Sequence, residues 1–258
     1  MKYFVLVVLA IAQCGFAYEK GFQSLLEIEN NEATIYAFEN KINQTLECVK
    51  GILLNGDEEL GFPSLDPLVV DAVEKDLTEL GIPSVSGHVS LKNLRVEGIA
   101  GWKTTHLKVT VTIIPMGAKV EITLLFPKGS LVGDYDIDAH YADTNVKGVG
   151  HVEASHVDFQ IAVKLQATLK KIGLKTLTIV PSLKDAKLEL GELLVNGEDK
   201  SGVITDFVAK LPAVIKEKQK EIGEALSKKI MDAINNAPEG GSGAGSVILD
   251  IINKKCPF

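Results

Sequence analysis

The middle of the chain alternates apolar and polar residues over long stretches. Between Gly87 and about Asn196, apolar side chains recur at every second position, as in Val120, Ile122 and Leu124. A period of two is typical of β-strands that bury one face of a sheet. Turn-forming residues separate these runs and predict where the strands end, at 115–117, 127–129, 143–145 and 181–182.

Two other segments repeat their apolar residues every three or four positions, which predicts helices. Residues 31–54 carry one such stripe: Ile35, Phe38, Ile42, Leu46, Val49 and Leu53. Residues 201–236 carry a longer stripe, and Pro212 predicts a kink near its start. The run from Leu68 to Leu80 fits either a short helix or an edge strand, and the sequence leaves that choice open.

A sheet of this size beside a single long helix buries its apolar face best by curving around that helix. We therefore predict an α+β fold, an elongated single domain in which a long C-terminal α-helix is wrapped by a strongly curved antiparallel β-sheet. The predicted organisation is a signal peptide over 1–17, an N-terminal helical segment over 18–55, the sheet with its helix over 56–237, and a Gly-rich linker and tail over 238–258.

The first residues have the composition of a secretory signal. Lys2 supplies the positive start, residues 4–12 supply the apolar core, and Gly15-Phe16-Ala17 supplies a small-x-small cleavage site. We therefore expect a secreted, extracellular protein.

The charge balance argues against several partners. The chain has a net charge of −7, and Arg95 is its only arginine. Nucleic acids and anionic membranes attract basic proteins, and arginine is the residue that reads phosphates with two hydrogen bonds. We predict no nucleic-acid partner, no stable membrane insertion and a monomer.

Cys48 and Cys256 remain after removal of the signal. In an oxidising compartment such a pair suggests a disulfide, and the alternative is two unpaired thiols, one of them buried. Asn43-Gln44-Thr45 is a glycosylation acceptor sequence, usable if the helix exposes Asn43.

Catalytic and metal-binding signatures are weak. The five histidines fall on predicted strands, where the simplest expectation is a scatter over the polar face of the sheet. Gly240-Gly241-Ser242-Gly243 lies in a linker, without the strand and helix that a nucleophile elbow requires. The sequence therefore predicts no catalytic residues, no metal and no cofactor. We predict that the protein is not an enzyme and that its site is a cavity.

Several motifs match one family in order along the chain. The stretch 56–68, Gly-Asp-Glu-Glu-Leu-Gly-Phe-Pro-Ser-Leu-Asp-Pro-Leu, resembles a signature of the insect haemolymph juvenile hormone-binding and takeout family. Residues 91–99, Gly148-Val149-Gly150 and 193–197 resemble later motifs of the same family. Mite group 7 allergens share the architecture and are the nearest alternative.

The resemblance implies a tubular lipid-binding fold with an internal apolar tunnel. It also implies secreted carriers of juvenile hormone or other hydrophobic small molecules, without catalysis. Members usually carry two bonded cysteines near the mature N-terminus. Cys48 resembles the second, but residues 38–47 contain no first one, which leaves Cys256 as its only partner.

For a carrier, we expect apolar side chains of the strands and of the 56–73 region to line the tunnel. Trp102, at a strand end, fits either the mouth of a cavity or the edge of the sheet. The predicted lining is Leu65, Leu68, Val69, Val73, Trp102, Val111, Ile113, Ile122, Leu124, Tyr135, Phe159, Ile161 and Val163. The alternative function is an innate-defence protein that binds lipid or membrane surfaces through a basic tip, for which Lys170-Lys171 and Lys254-Lys255 would supply charge.

Overall fold

The computed structural model describes residues 32–59, 62–80, 85–113, 116–141, 143–168, 173–235 and 254–256. The helices are α1 Glu32–Asn55, α2 Ser201–Ala209, α3 Leu211–Glu217 and α4 Gln219–Asn235. The strands are β1 Leu68–Asp76, β2 Val85–Glu97, β3 Lys103–Ile113, β4 Met116–Tyr141, β5 Thr144–Thr168, β6 Gly173–Ser182, β7 Asp185–Leu190, β8 Leu193–Val195 and β9 Glu198–Asp199. The predicted signal peptide and the Gly-rich linker lie outside the described residues.

Two very long strands form the centre of the sheet. β4 and β5 pair antiparallel along their whole length, from Gly117 opposite Thr168 to Tyr141 opposite Thr144. β3 and β6 flank one half of this hairpin, and β2, β7 and β8 flank the other half, with β1 outside β2. The predicted fold class is confirmed: an α+β fold with a strongly curved antiparallel sheet. The run beginning at Leu68 forms an edge strand, which decides the choice that the sequence left open.

Both long strands change partners at the same level of the sheet. On β4, pairing with β3 ends at Leu125 and pairing with β2 begins at Ser130. The turn predicted at 127–129 is therefore wrong, because these residues continue β4. Pro127 fits there because it has no N–H to donate, and neither β3 nor β2 pairs with it. On β5, Asp158 has a positive φ of 49° between the segments that pair with β7 and β6.

The closed hydrophobic core lies between α1 and the half of the sheet built from β3 to β6. The stripe predicted on residues 31–54 is confirmed, and it is buried against Trp102 and the inner side chains of β4 and β5. Burying each large apolar side chain contributes about 1.5–3 kcal/mol. The most deeply buried members include Ile42, Leu46, Trp102, Ile122, Leu124, Ile161 and Val163.

Helices cover the free edges of this half of the sheet with specific hydrogen bonds. The N–H of Val109 on β3 donates to the Glu39 carboxylate of α1, at 2.7 Å. The N–H of Ile179 on β6 donates to the Ser227 hydroxyl of α4, at 3.1 Å, and the Gln219 amide donates to the Pro181 carbonyl, at 2.8 Å. A Cβ on Gly223 would lie 2.1 Å from the Ile179 carbonyl oxygen, so only glycine allows this close approach.

The C-terminal helical region extends from 201 to 235, close to the predicted extent, but it is divided into three segments. The interruptions fall at Lys210 and Lys218, and Pro212 lies at the start of α3, where its missing N–H costs nothing. Instead of the kink predicted at Pro212, the helix is interrupted at Lys210, two residues before the proline. Neither α2 nor α3 buries a residue completely, and the fully buried helical stripe is that of α1.

A disulfide joins the N-terminal helix to the C-terminal end of the described chain. Cys48 on α1 is bonded to Cys256, with 5.7 Å between the Cα atoms. Lys255, beside it, forms ion pairs with Asp57, at 3.3 Å, and with Glu59. The bonded Cys256 is part of the core beneath α1.

Candidate functional site

A cavity of about 620 Å³ lies where β4 and β5 change partners. Its walls come from the middle of both long strands, from the end of β2, from β7, and from Val208 of α2 and Leu211 of α3. The remaining wall residues are Val96, Glu97, Gly98, Ile99, Phe126, Gly129, Ser130, Leu131, Ala154, Ser155, His156, Phe159, Leu183, Ala186, Lys187 and Leu188.

Aromatic rings form the boundary between the cavity and the closed core. The Trp102 and Phe126 ring centroids are 6.1 Å apart, and those of Phe126 and Phe159 are 5.9 Å apart. Trp102 is fully buried behind this boundary, while Phe126 and Phe159 also face the cavity. Tilted contacts of this kind favour one fixed arrangement of the rings. The cavity therefore has an aromatic, apolar end.

The loop that carries Gly98 and Ile99 is held by the carboxylate of Asp66, a residue of the 56–68 motif. The N–H groups of Gly98 and Ala100 donate to the two oxygens of Asp66, at 2.8 and 2.7 Å. Gly98 has a φ of +86°, and a Cβ there would lie 2.3 Å from the Lys128 carbonyl oxygen. Asp66 thus positions the loop that lines the cavity between the ends of β2 and β3.

His156 lies on the cavity wall in an apolar environment. Its ring is 5.8 Å from that of Phe159 in an edge-to-face arrangement, and a Cβ on Gly129 would lie 2.3 Å from its Nε2. Nδ1 is buried and has no hydrogen-bond partner among the described residues. Burial lowers the pKa of His156 below its ordinary value, so the ring is neutral at neutral pH.

The strand register separates the polar wall residues from the apolar ones. The polar wall residues form a single row that crosses four neighbouring strands, and each is the register partner of the next: Glu97, Ser130, Ser155 and Lys187. The rows on either side contain Val96, Leu131, Ala154 and Leu188, and Gly129, His156 and Ala186. Because side chains alternate between faces, the polar row points away from the face that carries these two rows. Consistent with an outward position, Glu97 accepts a hydrogen bond from exposed Arg95 at 2.6 Å.

Most predicted lining residues lie elsewhere. Leu65, Trp102, Ile122, Leu124, Ile161 and Val163 are buried in the core against α1, and Leu68 packs on that core. Val69 is 58% exposed and Val73 is 36% exposed, because β1 is an edge strand. Val111 and Ile113 belong to β3, and their side chains lie outside the described part. Phe159 alone of the predicted residues with described side chains lines this cavity.

Tyr135 is buried next to three glycines and does not line the cavity. Its hydroxyl donates to the Glu192 carbonyl at 2.8 Å, and burial raises the pKa of the hydroxyl. Positions Gly148, Gly150 and Gly191 surround its ring, and a Cβ on Gly148 would lie 3.0 Å from it. The glycines of the 148–150 motif therefore make room for a tyrosine.

The candidate glycosylation site at Asn43 and the exposed His151 do not line the cavity. Asn43 is half-buried on α1, and Thr45 is fully buried and donates its hydroxyl to the Lys41 carbonyl. His151 pairs with Asp134 at 3.0 Å on the exposed side of the sheet, and Asn93 also donates to Asp134; together they lower the pKa of that carboxyl. Among the described residues, no three His, Cys, Asp or Glu side chains converge as a metal site would require.

Sequence reasoning missed the cavity because it assumed one unbroken alternation along each strand. On β4 the inward positions are even up to Phe126 and odd from Gly129 onward. On β5 the inward positions are even up to His156 and odd from Phe159 onward. This change of phase, next to Pro127, is the signal in the sequence that marks the site.

Comparisons with known proteins agree with the motifs. A family model described as haemolymph juvenile hormone binding protein matches residues 5–239. The chain is similar to the crystal structure of Epiphyas postvittana Takeout 1, with 19% identity, a TM-score of 0.38, and coverage of 73% of this chain and 88% of that chain. It is also similar to lipopolysaccharide binding protein, with 12% identity, a TM-score of 0.25, and coverage of 73% of this chain and 38% of that chain. No curated protein sequence matches it.

Proposed function

The chain belongs to the haemolymph juvenile hormone binding protein family, and from that premise we propose that it is a secreted carrier of a hydrophobic small molecule. The candidate ligands are a juvenile hormone-like terpenoid, a fatty acid or another lipid. In this proposal the protein has no catalytic role. The signal over 1–17 and the bond between Cys48 and Cys256 both suit an extracellular location.

The observation that carries the proposal is the apolar cavity at the partner change of β4 and β5. Its volume of about 620 Å³ lies within the range of about 300–1,000 Å³ that is usual for small-molecule sites. Leu131 and Leu188 of the sheet face it, and Val208 and Leu211 of the helices close it from the other side. Each Å² of apolar ligand surface removed from water by these walls contributes about 25 cal/mol.

The first experiment is the extraction of the protein, purified under mild conditions, into organic solvent for lipid mass spectrometry. We expect one lipid class at close to one molecule per protein. Uptake of N-phenylnaphthylamine, measured by fluorescence, tests the emptied protein. An empty extract together with no dye uptake would contradict the proposal.

A matched pair of variants connects uptake to this cavity. Leu188→Arg places a charge in the wall, and we expect it to reduce dye affinity at least tenfold, because burying an unpaired charge is costly. Val149→Arg is the control, since Val149 is 71% exposed on the neighbouring strand. Circular dichroism tests whether each variant is folded. Equal affinities in two folded variants would place the ligand elsewhere.

The innate-defence alternative requires a basic surface. Of the lysines that would supply it, Lys255 is engaged by Asp57 and Glu59, and Lys170-Lys171 lies outside the described residues. Binding to anionic vesicles that weakens with added salt would favour this alternative over a carrier. Among the described residues, no helix is long and apolar enough to cross a membrane.

A further inference from the structure

The cavity contains one hydrogen-bonding side chain on its inward-facing rows. Those rows are Val96, Leu131, Ala154 and Leu188, and Gly129, His156 and Ala186. The polar row between them points to the opposite face, so Ser130 and Ser155 offer the cavity mainly backbone. Within the described wall, His156 is therefore the side chain able to recognise a polar group on a ligand.

The burial of the ring determines which nitrogen carries the proton. Nδ1 is buried without a partner, and an unpaired buried N–H is costlier and rarer than an unpaired acceptor. The neutral ring therefore holds its proton on Nε2. That atom occupies the place where the side chain of residue 129 would begin, so Gly129 makes room for the imidazole on the cavity wall.

We propose that His156 selects the ligand by donating a hydrogen bond from Nε2–H to one uncharged oxygen acceptor, such as an ester, ketone or epoxide oxygen, on an otherwise apolar molecule. The inference rests on the proposed carrier function and specifies its ligand class. A carboxylate is disfavoured, because the inward rows supply no cation to pair with it. A pure hydrocarbon leaves the Nε2–H unpaired.

Competition against bound N-phenylnaphthylamine tests the inference with three ligands of similar length: methyl decanoate, decanoic acid and tridecane. For the wild type we expect the ester to bind more tightly than the acid, and we follow the ratio of ester affinity to alkane affinity across the variants. In His156→Phe, we expect the preference for the ester over the alkane to fall about fivefold to tenfold, the value of one hydrogen bond. His156→Gln keeps an N–H donor, and we expect it to retain part of the preference.

Leu188→Val is the matched control, since it removes apolar wall without touching the imidazole. It should weaken ester and alkane alike and leave their ratio unchanged. An unchanged ratio in folded His156→Phe would overturn the role of His156 while leaving the carrier function in place. Tighter binding of the acid than the ester in the wild type would overturn the uncharged ligand class. Uptake of no probe by the wild type would contradict the carrier function itself, and with it this inference.

Discussion

At the scale of a single residue, the imidazole of His156 makes stability depend on pH. Burial lowers the pKa of His156 in the folded chain, whereas in the unfolded chain the pKa is close to the ordinary value of about 6.5. At a pH between these two pKa values, the unfolded chain binds a proton that the folded chain does not bind. Stability is therefore fully present above the ordinary pKa and is lost as pH falls toward the folded pKa. When the pH is lowered from about 7.5 to about 5, we expect the urea midpoint of the wild type to fall by more than that of His156→Phe.

The comparison between those two proteins isolates this residue from the other histidines. His88, His140 and His151 lie beside Asp136, Asp138 and Asp134 on the exposed side of the sheet, and both proteins contain these pairs. Parallel pH profiles for the wild type and His156→Phe would show that the buried imidazole contributes nothing to the pH dependence of stability.

At the scale of elements, one face of α4 is shaped to the free edge of β6. Gln219, Gly223 and Ser227 are spaced four apart, so they share that face. Ser227→Ala leaves the buried N–H of Ile179 without an acceptor, and we expect a loss of about 1–3 kcal/mol in the free energy of unfolding. Chemical denaturation measures it.

The control for that substitution is Ala225→Ser, at an exposed position of the same helix. It should cost only a few tenths of a kcal/mol, the difference in helix propensity. If the two substitutions cost the same, the hydrogen bond to Ile179 does not hold α4 on the sheet.

Elements with a single period were predictable from the sequence, and positions where two rules compete were not. The stripe from Phe38 to Leu53 repeats without interruption, so its helix and its burial followed directly. Pro127 and Gly129 are turn formers by local preference, yet the long pairing of β4 with β5 keeps them in a strand. The resulting change of phase places Gly129 and His156 on the cavity face, which a fixed alternation could not assign.

At the scale of the whole molecule, the disulfide joins α1 to residues 208 positions later in the chain. Closing so long a loop restricts the unfolded chain, and the chain-entropy model gives about 5 kcal/mol. We expect the double variant Cys48→Ser, Cys256→Ser to lose stability up to that amount in urea denaturation. Replacing both residues avoids leaving one free thiol in the core.

Lys255→Met is the matching control, because it removes the ion pairs with Asp57 and Glu59 and keeps the disulfide. Lys255 and Asp57 are half-buried and Glu59 is exposed, and ion pairs that solvent can reach contribute about 0–1 kcal/mol. A loss from the double variant no larger than that of Lys255→Met would show that the covalent link does not stabilise the fold.

The hydrogen bonds from the helices to β3 and β6 also bear on whether molecules associate. An uncovered strand edge is a template on which a second chain can add its own strand, the first step of aggregation. Glu39 accepts a hydrogen bond from the N–H of Val109, and Ser227 accepts one from the N–H of Ile179. These N–H groups are then not available to pair with a second chain. The contacts that attach α1 and α4 to the sheet therefore also oppose edge-to-edge association of two molecules.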